Sequence, residues 1–76
     1  MFKEENKKLL NNIRYTQEFL FDKREKFSDN YYLKIMNYLQ IIYSKVLEEE
    51  LEEEIVVYLN RNFDEDIKNN TLLIIR

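Results

Sequence analysis

Apolar residues recur at helical spacing through the first third of the chain. Steps of three, four and seven positions join one stripe, and no residue between its members interrupts a helix. Two further aromatic residues, Phe19 and Phe21, lie beside this stripe and widen the apolar face. The pattern predicts a helix over residues 2–27. The stripe consists of Phe2, Leu9, Leu10, Ile13, Leu20 and Phe27.

Three polar residues then interrupt the pattern. Ser28, Asp29 and Asn30 all favour turns and helix caps, and they separate two periodic segments. The side chain of Ser28 or Asp29 can accept a hydrogen bond from a free N–H group at the start of the next helix. The sequence therefore predicts a turn over residues 28–30 that joins two antiparallel helices.

The second periodic segment is unusually apolar. Between Tyr31 and Leu47, 12 of 17 residues are apolar. At about 100° per residue the five polar positions fall within an arc of about 140°, which leaves about 220° of apolar surface. One antiparallel neighbour covers about half of that arc. We therefore expect a second packing surface, supplied by the C-terminal segment, by another copy of the chain or by a target.

A run of glutamates follows this segment. Glutamate favours helix, and the apolar stripe continues through the run at Leu47, Leu51, Ile55 and Tyr58. We therefore predict one helix over residues 30–60, followed by a C-terminal element over residues 63–76. In that element Asp64 can cap a short helix. The predicted fold is all-α: one small domain, residues 1–76, built as an antiparallel helical hairpin with a long second helix and a short C-terminal helix.

A second interpretation stays open for the C-terminal third. Residues 55–59 are rich in β-branched side chains and are apolar on both faces, which is typical of a strand. Residues 72–75 form a second short apolar run that could pair with it. The alternative fold is therefore α+β, with two helices and a C-terminal β-hairpin of 55–59 and 72–75.

Composition excludes several kinds of chemistry. The chain has no cysteine and no histidine, which argues against disulfides, thiolate chemistry and ordinary zinc, haem or iron–sulfur sites. It has no glycine for a phosphate-binding loop. No serine or threonine is spaced with a base in a way that indicates a nucleophile. We therefore expect no enzyme activity, no cofactor and no metal.

One spacing resembles part of a calcium loop. Asn60, Asn62, Asp64 and Asp66 alternate at every second position, as the first four ligands of such a loop do. The loop also needs glycine at its sixth position and glutamate at its twelfth, where this chain has Glu65 and Thr71. The segment is therefore interpreted as a polar turn.

Charge is distributed unevenly. The net charge is -3, and acidic residues concentrate after residue 35. If residue n of the first helix lies opposite residue 57 minus n, then Lys3, Lys7 and Lys8 lie beside residues 48–54, where acidic residues outnumber them. An acidic end attracts a basic partner and repels phosphate, so we expect a protein partner and no direct nucleic-acid binding. The candidate partner-binding acids are Glu48, Glu49, Glu52, Glu53, Asp64, Glu65 and Asp66.

Two of the six tyrosines are candidates for the same interface. Tyr31 and Tyr38 are seven residues apart and flank the polar arc of the second helix. Tyrosine combines a large contact area with a polar tip and is enriched at interfaces. We therefore expect Tyr31 and Tyr38 to anchor a protein partner.

These expectations combine into two hypotheses. Asn, Ile, Lys, Tyr and Phe make up 36 of 76 residues, which indicates an AT-rich source such as a low-GC bacterium or its phage. The first hypothesis is a small cytoplasmic inhibitor or regulator that occupies the basic surface of a larger, nucleic-acid-binding protein, as a phage or mobile-element inhibitor of a host enzyme would. The alternative is a homo-oligomeric helical bundle, a homodimer for example. The chain has no apolar run of 18 residues, so no membrane association is expected.

Overall fold

The computed structural model describes the backbone of residues 3–69 and the side chains of residues 3–65. It contains three α-helices: α1 (Glu4–Asp22), α2 (Asp29–Leu47) and α3 (Glu53–Asn69). Residues 3–69 contain no strand, so the predicted all-α class is confirmed. None of the helices in this part of the chain is long and apolar enough to cross a membrane.

The connection between α1 and α2 forms close to the predicted turn. Helix α1 ends at Asp22, earlier than the predicted residue 27, and a single 3₁₀ turn (Arg24–Lys26) follows. The Ser28 hydroxyl then accepts the Tyr31 N–H at 3.2 Å and caps α2. Phe27 packs against the core and lies with its ring centre 5.7 Å from that of Tyr31. The predicted role of Ser28 as a helix cap is confirmed.

The prediction of one continuous helix over residues 30–60 is wrong at residues 48–52, where the chain leaves the helix. The Glu50 N–H donates to the Lys45 carbonyl at 2.9 Å, and the Glu49 N–H donates to the Val46 carbonyl at 3.1 Å. These two bonds define a Schellman C-cap, in which Glu49 takes the position that usually holds glycine. Glu49 has φ 57°, the left-handed conformation. The chain has no glycine, so the usual sequence signal of a helix end is missing.

Helix α3 replaces the alternative strand. The Glu52 carbonyl accepts the N–H groups of Ile55 and Val56, both at 3.0 Å, which starts the helix. Residues 55–59, the first strand of the alternative fold, lie inside α3, and Val56 is buried in the core. Burial of one helical face outweighs the modest β-preference of Ile and Val here, because propensity is a weak term. Residues 72–75, the second strand of that alternative, lie outside the described residues, and α3 already includes residues 63–69 of the predicted C-terminal element.

The core is one layer of side chains between the three helices. On each helix the buried positions alternate by three and four residues, the spacing of helices that pack side by side. Three of these positions are polar, Asn6, Thr16 and Asn60. The Thr16 hydroxyl donates to the Asn12 carbonyl at 2.9 Å. The buried seams are Asn6, Leu9, Ile13, Thr16 and Leu20 on α1; Ile35, Leu39, Ile42 and Val46 on α2; and Val56, Asn60 and Phe63 on α3.

Contacts between helices give their directions. Gln17 donates to Gln40 at 3.3 Å, so α1 and α2 are antiparallel in the register that the sequence predicts, n opposite 57 minus n. The Arg14 guanidinium lies 5.8 Å from the Tyr43 ring centre and follows the same register. Lys3 pairs with Glu53 and Lys8 pairs with Asp64, so α3 runs parallel to α1. Helix α1 is the one against which both α2 and α3 pack.

A buried amide joins α1 to α3. Asn60 is 2% exposed, and its Nδ2 donates to the Glu5 carbonyl at 2.9 Å and to Glu5 Oε2 at 2.7 Å. Its Oδ1 accepts from Asn12 Nδ2 at 3.2 Å. A buried polar residue in a helix seam is best satisfied in one register and orientation. Asn60 therefore holds α3 parallel to α1 at one height.

Replacing Glu49 by glycine is expected to stabilise the fold. A residue with a Cβ in the left-handed conformation costs about 1 kcal/mol, which Glu49→Gly removes. We expect a rise of about 1 kcal/mol in the free energy of unfolding, or about 4–8 °C in Tm. Glu49→Ala is the control, because it removes the same charge and keeps the Cβ. Equal stability of the two variants in urea denaturation would contradict the assigned backbone conformation.

Removing the Asn60 amide is expected to destabilise the fold. Asn60→Ala leaves the Glu5 carboxylate and the Asn12 amide without a buried partner, at a cost of about 1–3 kcal/mol. Asn62→Ala, two positions further along α3, is the control, because Asn62 is only half-buried. Urea denaturation of both variants measures the difference. If the two substitutions cost the same, Asn60 does not hold the helices as described.

Candidate functional site

One end of the bundle collects the glutamates of three helix termini. Because α1 and α3 are parallel and α2 is antiparallel to α1, α1 and α3 begin at the end where α2 finishes. We call this the acidic end. It contains eight glutamates, of which Glu5 is half-buried and the others are exposed. Its members are Glu4, Glu5, Glu48, Glu49, Glu50, Glu52, Glu53 and Glu54.

Four of these glutamates stabilise the helices that they begin. Glu4 and Glu5 lie in the first turn of α1, and Glu53 and Glu54 lie in the first turn of α3. Acidic side chains interact favourably with the free N–H groups at a helix start, by about 0.3–1 kcal/mol each. Stabilisation of the helices is therefore sufficient to explain four of the eight glutamates at the acidic end.

The glutamates that follow the C-terminus of α2 do not stabilise a helix in this way. Residues 48–50 follow the C-terminus of α2, where the helix dipole disfavours negative charge. The Glu50 carboxylate, through a hydrogen bond and its charge, raises the pKa of Glu48 above its usual value. Glu49 adds the left-handed backbone conformation. In this segment, both the negative charge and the backbone conformation are therefore unfavourable for local stability.

Lysines neutralise only part of the acidic end. Lys3 Nζ lies 3.6 Å from Glu53 Oε2, and Lys45 Nζ lies 3.8 Å from Glu50 Oε2. All four side chains are about half exposed or more, and exposed pairs of this kind contribute at most about 1 kcal/mol. Among the side chains of residues 3–65, the other six glutamates have no ion-pair partner. The acidic end therefore keeps a negative field.

A shallow open depression lies within the acidic end. It is lined by Glu52, Glu53 and Glu54, with Val57 as its apolar element. Lysine and arginine side chains combine an aliphatic stem with a charged head. The depression therefore offers an apolar contact for such a stem and three carboxylates for its head.

The other predicted acids lie further along α3, away from the acidic end. Asp64 is eleven residues beyond Glu53, or about 16 Å along the helix. Its carboxylate lies 2.7 Å from Lys8 Nζ and also accepts from Asn12 at 3.4 Å. The hydrogen bond and charge of Asp64 raise the pKa of Lys8 above its usual value. Asp64 is therefore engaged in holding α3 to α1.

The two predicted acids that follow Asp64 are Glu65 and Asp66. Glu65 is exposed on α3 and lines a polar groove with Lys8 and Arg61. The side chain of Asp66 lies outside the described residues. Of the predicted acids, the structure brings together Glu48, Glu49, Glu52 and Glu53, and it places Asp64 and Glu65 along the side of the bundle.

The two predicted tyrosines lie away from the acidic end. Tyr31 is in the first turn of α2, about 25 Å along the helix from Glu48, and is 39% exposed. Tyr38 lies between them and is 45% exposed. The tyrosines and glutamates therefore do not form one compact patch.

Sequence reasoning missed several exposed apolar residues. Ile41 is 49% exposed although it lies three positions from Tyr38 on the same helix. The signal was present, because 31, 38 and 41 share a stripe at helical spacing. Ile55 and Tyr58 on α3 are also exposed, and the sequence pattern assigned them to an apolar stripe that continues the second helix.

The segment that resembles a calcium loop is helical. Asn60, Asn62 and Asp64 lie on α3, and Asn60 points into the interface with α1. Within the described residues no cluster of acidic side chains is arranged to hold a metal ion.

Comparison with protein-family models, with curated proteins and with solved structures finds no match to this chain. The acidic end and the exposed side chains of α2 and α3 are therefore the features on which a function can be argued.

The carboxyl groups of Glu48 and Glu50 predict a pH dependence of stability. Because the pKa of Glu48 is raised on folding, the folded state holds the proton more tightly than the unfolded state. The contribution of Glu48 to the free energy of unfolding should then fall as pH rises above the pKa of Glu48 in the unfolded chain. Glu48→Gln removes this loss, so we expect a higher Tm at pH 7 and a flatter Tm profile as pH rises above about 4.

The control for this measurement is Glu18→Gln on α1, which removes an exposed glutamate outside the acidic end. Thermal unfolding followed by circular dichroism at a series of pH values checks both variants. A Tm profile for Glu48→Gln that parallels the original chain would show that the two carboxyl groups do not interact.

Proposed function

We propose that this protein is a small binding module that regulates a larger protein by occupying a basic surface with its acidic end. The observation that carries the proposal is the placement of Glu48, Glu49 and Glu50 directly after α2, where the helix dipole disfavours negative charge. A segment that departs from local structural preference is a candidate for a function other than folding.

The glutamates of the helix starts add to the same field. Their charge has a role in folding, but it is still directed into solvent at the same end of the bundle. An extended negative surface attracts a positively charged partner and speeds its association. The proposal therefore depends mainly on Glu49, which follows α2, and Glu52 and Glu53 at the start of α3 add to the same field.

The chemistry of the depression indicates what the partner presents. Three carboxylates around Val57 suit a lysine or arginine side chain that projects from a basic surface. Proteins that bind nucleic acids carry such surfaces as stripes or grooves. The acidic end competes with phosphate for these side chains, so a nucleic-acid-binding protein is the partner class that we propose, and inhibition is the expected effect.

Charge reversal at the acidic end tests this function. The triple variant Glu49→Lys, Glu52→Lys and Glu53→Lys is immobilised beside the original chain, and proteins captured from a low-GC bacterial lysate are identified by mass spectrometry. We expect the original chain to capture a basic protein that the triple variant loses. Purified partner and chain should then bind with an affinity that falls as salt rises, and duplex DNA should displace the chain.

A matched control separates position from total charge. Glu18→Lys, Asp22→Lys and Glu25→Lys change the net charge equally, and they lie on α1 and in the connection that follows it, away from the acidic end. Circular dichroism of both triple variants verifies the fold. The proposal fails if both triple variants lose the same proteins, or if the original chain captures nothing that the acidic-end variant does not.

A further inference from the structure

Helix α2 has a second seam, which is exposed. Residues at alternating spacings of three and four form it, and every one of them is exposed. Such a spacing is typical of a helix face that packs against another helix. The apolar members are Tyr31, Tyr38 and Ile41, which are 39%, 45% and 49% exposed. We call this the outer stripe; it consists of Tyr31, Lys34, Tyr38, Ile41, Lys45 and Glu48.

The outer stripe faces away from α1. Gln40 and Tyr43 are the α2 side chains in polar or cation–π contact with α1. At about 100° per residue, they lie on the opposite flank of the buried seam from Tyr38 and Ile41. Helix α1 therefore leaves the outer stripe uncovered.

Helix α3 also carries exposed apolar side chains. Asn60 and Asp64 contact α1, and by the same helix geometry Ile55 and Tyr58 lie on the side of α3 that faces away from α1. Ile55 is 45% exposed and Tyr58 is 63% exposed. Exposed apolar side chains on both helices are typical of an interaction site.

Charge along the outer stripe indicates what covers it. Its first half carries Lys34, and its other end carries Glu48 at the acidic end. The segment before it, residues 22–29, carries three basic and three acidic residues, so Lys34 is the charge that distinguishes this half. Two copies placed parallel would bring their acidic ends together, whereas two antiparallel copies bring Lys34 of each copy to Glu48 of the other. The surface is therefore complementary to itself in one orientation.

We propose that this face binds a second copy of the chain, with the α2 helices antiparallel and a two-fold axis at Ile41. This arrangement places Ile41 against Ile41 of the second copy, and Tyr38 beside Lys45 of the second copy. It also places Lys34 opposite Glu48 of the second copy. A two-fold interface uses the same patch twice, so each of these contacts is made twice.

The dimer and the proposed function use different residues except for Glu48, which belongs both to the outer stripe and to the acidic end. Ile41 and Tyr38 are not part of the acidic end, and an antiparallel dimer carries its two acidic ends at opposite extremes. Most of the glutamates therefore remain free to meet a basic partner. Either proposal can fail while the other stands.

The first experiment locates the two-fold axis. The chain has no cysteine, so Ile41→Cys introduces a single thiol. Under mild oxidation we expect Ile41→Cys to form a disulfide-linked dimer on non-reducing gels within minutes. Tyr15→Cys is the control, because Tyr15 is 53% exposed but lies on α1 outside the proposed face. Equal crosslinking of the two variants would overturn the proposal.

The second experiment measures the association itself. Sedimentation equilibrium of the original chain should give the mass of a dimer at about 100 μM, and Ile41→Glu should raise the dimer dissociation constant more than about tenfold. Tyr15→Glu should leave the dissociation constant unchanged, and circular dichroism verifies that both variants fold. A monomer for the original chain, or a dimer that Ile41→Glu does not weaken, would overturn the proposal.

A charge exchange tests the antiparallel orientation. Lys34→Glu should raise the dissociation constant about fivefold, because it places two carboxylates together in each of two symmetric contacts. Adding Glu48→Lys to the same chain restores opposite charges and should recover the original dissociation constant. If the double variant binds no better than Lys34→Glu alone, the antiparallel pairing is wrong.

Discussion

The arrangement of this molecule depends on the buried amide of Asn60. Its hydrogen bonds to Glu5 and Asn12 are satisfied only when α3 lies parallel to α1 at one height. Because both helices then begin at the same end, their first-turn glutamates join those that end α2. The acidic end is thus a consequence of helix direction, which follows from the two short connections, and Asn60 fixes the height of α3 against α1. The Lys8–Asp64 pair lies in the same interface and supports the same register.

The connection between α2 and α3 combines two unfavourable features. Glu49 occupies the left-handed position of a C-cap, and its neighbours place negative charge at a helix end that disfavours it. In a usual Schellman cap, an apolar contact joins the residues that here are Lys45 and Glu50, whose side chains form an ion pair instead. Charge thus replaces the usual apolar contact of this cap, which is why binding of a charged partner is the function that we propose for the segment.

Helix α2 carries more apolar surface than its two neighbours cover. The sequence pattern left about 220° of its circumference to be covered, and α1 and α3 bury the seam from Ile35 to Val46. Tyr31, Tyr38 and Ile41 stay exposed beside it. A chain of this size buries only about 60% of its unfolded surface, so an additional interface is a natural source of stability. The acidic end and the outer stripe would then serve two different partners.

The features that depend on residues close together in the sequence could be predicted from the sequence alone. Apolar periodicity predicted the helices, Ser28 predicted the cap of α2, and the short turn set the register in which Gln17 meets Gln40. The break at residues 48–52 could not be predicted, because glutamate favours helix and no glycine marks the end. The sequence likewise did not show that Asn60 enters the core, since an asparagine followed by Arg61 and Asn62 is typical of a turn. Only the tertiary structure decided these points, because packing against α1 determines which face of α3 is buried and therefore where the charges meet.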